Sequence, residues 1–223
     1  RVFRARKNNL ELLLSVHNKK CLSCEKSGKC EFQQLCNEMG VDETHYEGYR
    51  KEYPIDDSAP YFIRDNNKCI LCRRCIAVCQ ANQGIGAIGP VNRGFATYIN
   101  TAFDRDLADI SCVGCGQCVR VCPTGALMEK DSTADVWAAL GQKEKHVVVQ
   151  TAPAVRAALG EEFGYPVGTA VTGKMVAALR RLGFEKVYDT DFGADLTIME
   201  EGTELLGRMK NGGVLPMITS CSP

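Results

Sequence analysis

No run of 18 apolar residues occurs in this 223-residue chain, so no transmembrane helix and no membrane contact are expected. Net charge is missing as well. Lys+Arg and Asp+Glu both number 27, which argues against a nucleic-acid binder working through a basic field. No secretory signal is visible in this sequence, and one removed ahead of it stays open. Arg1 stands where a native chain carries Met, so the expectation is that the native start lies elsewhere. The scattered cysteines of a small secreted disulfide scaffold are also absent. What is present is 45% hydrophobic residues, an ordinary globular share.

The chain holds thirteen cysteines, and most stand in tight steps that suit metal. Two runs, Cys69-x2-Cys72-x2-Cys75-x3-Cys79 and Cys112-x2-Cys115-x2-Cys118-x3-Cys122-Pro123, carry the spacing of bacterial two-cluster ferredoxins. Zinc is the competitor, because paired CxxC steps also build zinc ribbons. A fourfold run repeated twice, once ending in Cys-Pro, favours iron–sulfur clusters. Thiolates suit them because soft sulfur donates charge to iron. In two-cluster ferredoxins the fourth cysteine of each run serves the other cluster. One cubane would then take Cys69, Cys72, Cys75 and Cys122, and the other Cys112, Cys115, Cys118 and Cys79. A third set is His17-x3-Cys21-x2-Cys24-x5-Cys30. Its fourth ligand is open between His17 and Cys36, since Cys36 lies in a helical-looking stretch and buried free cysteines are common.

The expected organisation has three parts. Residues 4–20 read as a helix with Leu10, Leu13, Leu14 and His17 at helical spacing, which would set His17 and Cys21 one turn apart. Tyr49 to Pro60, rich in charge and proline, reads as a linker. Ferredoxin-type sequence follows to about Met128, and Lys130-Asp131-Ser132 marks a second boundary. Beyond it strands and helices alternate: a strand at His146–Gln150, helices at Ala154–Glu162 and Thr172–Leu182 with Gly160 and Gly183 as stops, a strand at Lys186–Asp189, a helix at Ala194–Lys210 and a strand at Val214–Thr219 running into Cys221. This predicts a parallel α/β layer with functional groups at the carboxyl ends of strands. The fold class is therefore α+β with an α/β part: a His/Cys3 cluster domain at 1–55, a two-cluster ferredoxin-like domain at 56–132 and an α/β domain at 133–223. Gly84-Ile85-Gly86-Ala87-Ile88-Gly89 matches GxGxxG formally. It follows a ligand run and ends in Pro90, so it reads as a loop and not a dinucleotide fingerprint.

With these motifs in hand, the chain resembles the iron-only (FeFe) hydrogenases over nearly its whole length. The third cysteine set resembles that family's His-ligated cubane, and the two runs resemble its accessory clusters. Complex-I-type NADH dehydrogenase chains and some formate dehydrogenases carry similar arms. The discriminating segments are Thr151-Ala152-Pro153-Ala154-Val155-Arg156, Asp191-Phe192-Gly193-Ala194-Asp195 and Thr219-Ser220-Cys221-Ser222-Pro223, which resemble the start of the hydrogenase catalytic domain. The resemblance implies three 4Fe-4S clusters in this chain. In the complete parent enzyme it implies an H-cluster, a cubane joined to a di-iron unit. Ala152 and Pro153 would line its pocket, and Ser220, Cys221 and Ser222 would form its first loop.

The family usually has two adjacent cysteines in that loop, a proton relay followed by a cubane ligand. By position Cys221 is the relay and Ser222 replaces the ligand. Ser222 ligating as an alkoxide, Cys221 shifting to the ligand role and an altered site all stay open. The family's second and third cofactor loops are expected beyond Pro223. Glu201, Glu204 and Arg208 share one helix face at i, i+3 and i+7. On their own they read as a solvated ion-pair face, but in the resemblance they line a proton path. The expected protein is a cytoplasmic, hetero-oligomeric hydrogenase subunit of an anaerobe, with NADH/flavin-type and ferredoxin-like electron-transfer subunits and ferredoxin as partners. The alternatives are the iron–sulfur arm of a formate dehydrogenase or complex-I-like chain, or a non-catalytic electron-transfer adaptor.

Overall fold

The computed structural model describes residues 1–42, 45–46 and 50–219. They form two compact units, Arg1–Lys130 and one beginning at Asp131. Among the described residues no helix is long and apolar enough to cross a membrane.

The first unit opens with α1 (Val2–Val16) and α2 (Glu31–Glu38). The leucines set at helical spacing face inward. Leu10 is buried with Phe32, Cys36 and Val41, and Leu13 and Leu14 pack against them. The helix expected to reach residue 20 stops at Val16, and His17 is extended at φ −80°, ψ 146°. Tertiary contacts override the helical spacing here. The His17 ring packs edge-on against Phe32 at 5.1 Å, and the Asn18 N–H donates to Asn67 O at 2.9 Å. Cys21 then lies in a separate 3-10 turn, not one helical turn from His17.

The ferredoxin-type part runs β1 (Phe62–Arg64), α3 (Arg74–Ala77), β2 (Gly89–Val91), β3 (Tyr98–Asn100), α4 (Gln117–Arg120) and β4 (Leu127–Glu129). β1 pairs antiparallel with β4, Arg64 opposite Leu127, and β2 pairs antiparallel with β3. The glycine-rich stretch enters β2 at Gly89, and a single 3-10 turn follows the strand, not the α-helix that a dinucleotide fingerprint opens. The core holds Phe62, Ile76, Ile88, Ile99, Leu107 and Leu127, with Cys69, Cys112, Cys118 and Cys122 packed on it.

The described part of the stretch expected as a linker is instead a strap. Asp56 exchanges both backbone hydrogen bonds with Arg64, at 2.9 and 2.8 Å. Its carboxylate takes the Arg64 Nη2 at 2.8 Å and the Leu107 N–H at 3.2 Å. The Asp56 charge is thus met by protein groups. Both side chains are nearly buried, at 7% and 11% exposed. Removing one partner of such a pair leaves an uncompensated charge and costs roughly 3–5 kcal/mol.

The second unit contains α5 (Thr133–Leu140), β5 (Val148–Thr151), α6 (Pro153–Glu162), α7 (Thr172–Leu182), β6 (Lys186–Asp189) and α8 (Thr190–Asn211). β5 and β6 run parallel, with Thr151 opposite Asp189. Gly160 lies inside α6, where a Cβ would meet Thr169 O at 2.9 Å, so it serves a close approach and not a stop. Gly183, at φ +113°, does cap α7. α8 begins four residues earlier than expected because the Asp189 side chain caps it, accepting from Phe192 N at 3.0 Å. Val214–Thr219 forms no strand. Pro216 has no N–H for a ladder, and Val214 and Ile218 are 79% and 89% exposed. Ser220, Cys221 and Ser222 lie outside the described residues.

The two cysteine runs share one backbone path. In the first, Leu71 and Arg73 take φ 57° and 61°; at the matching positions of the second, Gly114 and Gly116 take φ 63° and 70°. Left-handed backbone is free for glycine and strained for Leu and Arg. A Cβ on Gly114 would also overlap Cδ2 and Cε2 of Tyr61, whereas one on Gly116 meets nothing within 4 Å. Gly116→Ala should therefore cost about 1 kcal/mol, and Gly114→Ala at least twice that, roughly 2–3 kcal/mol. Thermal unfolding of the anaerobically reconstituted chain checks this; equal losses would show that Tyr61 yields freely.

Candidate metal centres

Two cavities beside the ferredoxin-type core are each lined by four cysteines drawn from both runs. Cys69, Cys72 and Cys75 line the first together with Cys122. Cys112, Cys115 and Cys118 line the second together with Cys79. The topology explains the exchange. The residues after Cys118 turn back through Pro123–Ala126, where the Asp65 N–H donates to Ala126 O at 2.8 Å and Thr124 Oγ1 donates to Lys68 O at 2.8 Å. That return carries Cys122 beside Cys69. Cys79 sits in a one-turn π-helical stretch, Val78–Asn82, that follows α3 and carries it toward the second run.

The electrostatics give the same grouping. Burial pushes the Cys75 thiol up to about 12, with Cys69, Cys122 and Cys72 adding to the shift. Burial likewise pushes Cys69 up to about 11, with Cys122 and Cys72 contributing in the same direction. Cys118 rises to about 11 through burial, with contributions from Cys112, Cys115 and Cys79. Crowded, desolvated thiols are poor places for free anions and good places for a cation that takes up their charge. Backbone N–H groups already point at two sulfurs: Leu71 N at Cys69 Sγ, 3.4 Å, and Ala87 N at Cys79 Sγ, 3.3 Å. Among the described residues no three His, Cys, Asp or Glu side chains converge to hold a single ion. A cubane does not need such convergence, because its four thiolates bind four different irons.

The third set is arranged differently. Cys21 opens the 3-10 turn and Cys24 closes it, and Cys30 caps α2, its sulfur accepting from Gln33 N at 3.5 Å. His17 is 8% exposed, and its Nδ1 is buried with no hydrogen-bond partner. Burial holds the imidazole below its usual pKa, partly offset by Asp65 and reinforced by Arg50 and Lys68. A neutral ring with an orphaned nitrogen fits a metal ligand. Cys36 is 7% exposed on the inner face of α2, and its thiol is pushed up by burial and by Cys30 and Cys21. It packs with Leu10, Phe32 and Val41 as a core residue. A Cβ on Gly125 would come within 2.8 Å of Cys24 Sγ, so the third set lies against the segment that carries Cys122.

In the second unit, Ala152 and Pro153 are the N-cap and first residue of α6, at the carboxyl end of β5. Thr190 Oγ1 donates to Thr151 O at 2.7 Å and ties the two strand ends. Arg156 reaches Asp189 and Asp191 at 3.6 and 3.3 Å, a cluster the sequence reading missed. Glu204 is ion-paired with Arg208 Nε at 2.9 Å. Arg208 also donates to Val214 O at 3.1 Å. Glu204 is exposed and Glu201 half-buried. The reading also missed the Asp56–Arg64 pair; its one signal was an arginine two residues from Phe62 on a short apolar strand.

Residues 145–223 match the model of the iron only hydrogenase large subunit, C-terminal domain. Residues 6–45 match the NADH-ubiquinone oxidoreductase-G iron-sulfur binding region, and residues 68–126 the 4Fe-4S dicluster domain. The chain is 53% identical to the NADP-reducing hydrogenase subunit HndD of Solidesulfovibrio fructosivorans, over 100% of this chain and 39% of that protein. It is 41% identical to iron hydrogenase 1 of Clostridium pasteurianum, over 97% of this chain and 38% of that one. A solved NAD+-reducing NiFe hydrogenase in its H2-reduced state superposes with a TM-score of 0.54 at 34% identity, covering 58% of this chain and 56% of that chain. The chain thus spans well under half the length of these two curated relatives.

The exchanged grouping makes a prediction that uncrossed runs do not. Cys122→Ala should remove the same paramagnetic signal as Cys69→Ala, and roughly four iron per chain. The signal lost in Cys112→Ala should survive. Loss of the Cys112 signal instead would mean that each run serves its own cluster.

Proposed function

Because the chain belongs to the iron-only hydrogenase large-subunit family, we propose that it is the electron-input arm and the beginning of the catalytic domain of an enzyme that interconverts H2 with protons and electrons. The observation that carries this reading is the pair of four-thiol cavities joined, in one chain, to a segment matching the hydrogenase catalytic domain. Cys69, Cys72, Cys75 and Cys122 would hold one 4Fe-4S cluster, and Cys79, Cys112, Cys115 and Cys118 a second. His17, Cys21, Cys24 and Cys30 would hold a third. When bound, these clusters supply one-electron redox sites. The protein's part is to bury them and to direct N–H groups at their sulfurs. The abutment of Cys24 on Gly125 supports electron passage between the third set and the first cavity.

The domain bounds 1–55, 56–132 and 133–223 follow the chemistry of the three parts. α8 buries none of its described residues, and Ile198, Met199 and Met209 are all more than 60% exposed. This supports the second unit as part of a larger catalytic domain that covers them. There Ala152, Pro153, Ser220 and Ser222 would face the H-cluster, and Cys221 would be the proton relay. Glu201, Glu204 and Arg208 would carry protons onward. The names of the relatives support NAD(P)-linked partner subunits; a ferredoxin partner and a cytoplasmic site complete the proposal.

The test is made in the complete enzyme. Cys221→Ala should suppress H2 turnover by two or more orders of magnitude, the scale of a lost general acid–base group. The three accessory clusters should remain reducible. Glu201→Gln should act in the same direction, because an amide keeps the shape but cannot pass a proton. Full turnover in Cys221→Ala would show that the residue is not the relay. Loss of cofactor binding would assign it the ligand role vacated at Ser222.

A further inference from the structure

We infer that Arg64 sets the reduction potential of the cluster held by Cys69, Cys72, Cys75 and Cys122, with Asp56 as its counterweight. This rests on the ligand reading given above. Arg64 and those four cysteines line one cavity. β1 presents alternate residues to one face, so Phe62 borders the second cavity and Arg64 the first. The guanidinium is divided in its contacts. Nη2 holds Asp56 Oδ2 at 2.8 Å, while Nη1 is buried with no partner among the described residues. Arg64 is 6% exposed, so water does not screen its charge.

A buried N–H left without an acceptor is costly, and a buried guanidinium is worse. Asp104 and Tyr98 also act electrostatically on the guanidinium, yet neither accepts from Nη1; an anionic iron–sulfur cluster in the cavity that Arg64 borders would, because its thiolates and sulfides accept hydrogen bonds. Reduction places one electron, drawn from the external reductant, on a centre that four thiolates already make negative. A fixed positive charge beside it favours the reduced form, and hydrogen bonds to the sulfurs do the same. Nothing equivalent borders the second cavity, whose lining holds no Lys or Arg. The two ferredoxin-type clusters would therefore be offset in potential, the first being the easier to reduce. Asp56, held at the other guanidinium nitrogen, Nη2, partly cancels this effect. Hydrogen bonds from the Ser58 side chain and N–H and from Leu107 N keep its carboxylate charged.

The experiment is a redox titration of the anaerobically reconstituted full chain, followed by electron paramagnetic resonance. The first cluster is identified as the signal lost in Cys69→Ser. Arg64→Gln removes the charge but keeps an N–H donor. It should lower that cluster's reduction constant about tenfold, a shift of about 59 mV for one electron. Arg64→Lys should stay near the parent. Asp56→Asn should move the potential the opposite way, upward, and the second cluster should not move in any variant. Shifts of opposite sign on one cluster cannot come from loosened packing. An unmoved first cluster in Arg64→Gln, or shifts of the same sign in both variants, overturns the inference. If Arg64→Gln fails to hold iron, the sign of Asp56→Asn decides alone. A parent chain with no signal sensitive to Cys69→Ser would overturn the underlying ligand reading instead.

Discussion

The arrangement of the first unit depends on one exchange: each four-cysteine cavity takes its last thiol from the other run. A thiol among three others in a buried cavity is costly both as an anion and as an unpaired polar group. That cost is relieved when a metal cluster takes up the charge, so cluster binding and folding share one free energy. The exchange links positions as far apart as Cys69 and Cys122. It pins the β1–β4 ribbon, the β2–β3 hairpin and the two short helices around Ile88, which borders both cavities.

The remaining polar features of this unit serve the same frame. The Thr124 hydroxyl anchors the return of Cys122 by donating to Lys68 O. The Asp56 strap crosses to Arg64 and to Leu107, itself 2% exposed. Asn67 fixes the strap's approach by exchanging hydrogen bonds with Tyr53, N–H to Oδ1 at 2.9 Å and Nδ2 to O at 2.8 Å. By contrast the surface pair Arg74–Glu31, with both side chains about half exposed, belongs to the class worth at most about 1 kcal/mol.

Much of this was legible because cluster ligands must recur at short fixed spacings, and spacing is what a sequence displays. The Thr172–Leu182 helix and the Lys186–Asp189 strand were legible through periodicity and a terminal glycine. The misses have a common cause, which is that long-range contacts decide local structure. The helix through His17 ends early because Phe32 and Asn67 draw the chain away. The apparent linker is a strap because Arg64, eight residues on, returns both its backbone and side-chain bonds. The Val214–Thr219 segment reads as a strand by composition, yet no neighbouring strand pairs with it among the described residues. For the candidate site, the cysteine groups could be read from spacing, but the buried arginine bordering one of them could not. Nothing in one dimension shows which nitrogen lacks a partner.

The most direct test of the exchanged ligation is native mass spectrometry of the chain reconstituted anaerobically with iron below saturation. Each ferredoxin-type site takes one thiolate from the other run, so filling either one draws both runs into place for the second. Chains carrying both ferredoxin-type cubanes should then exceed the share expected for independent filling. A population with just one of the two at the full level of independent, statistical filling would contradict the account.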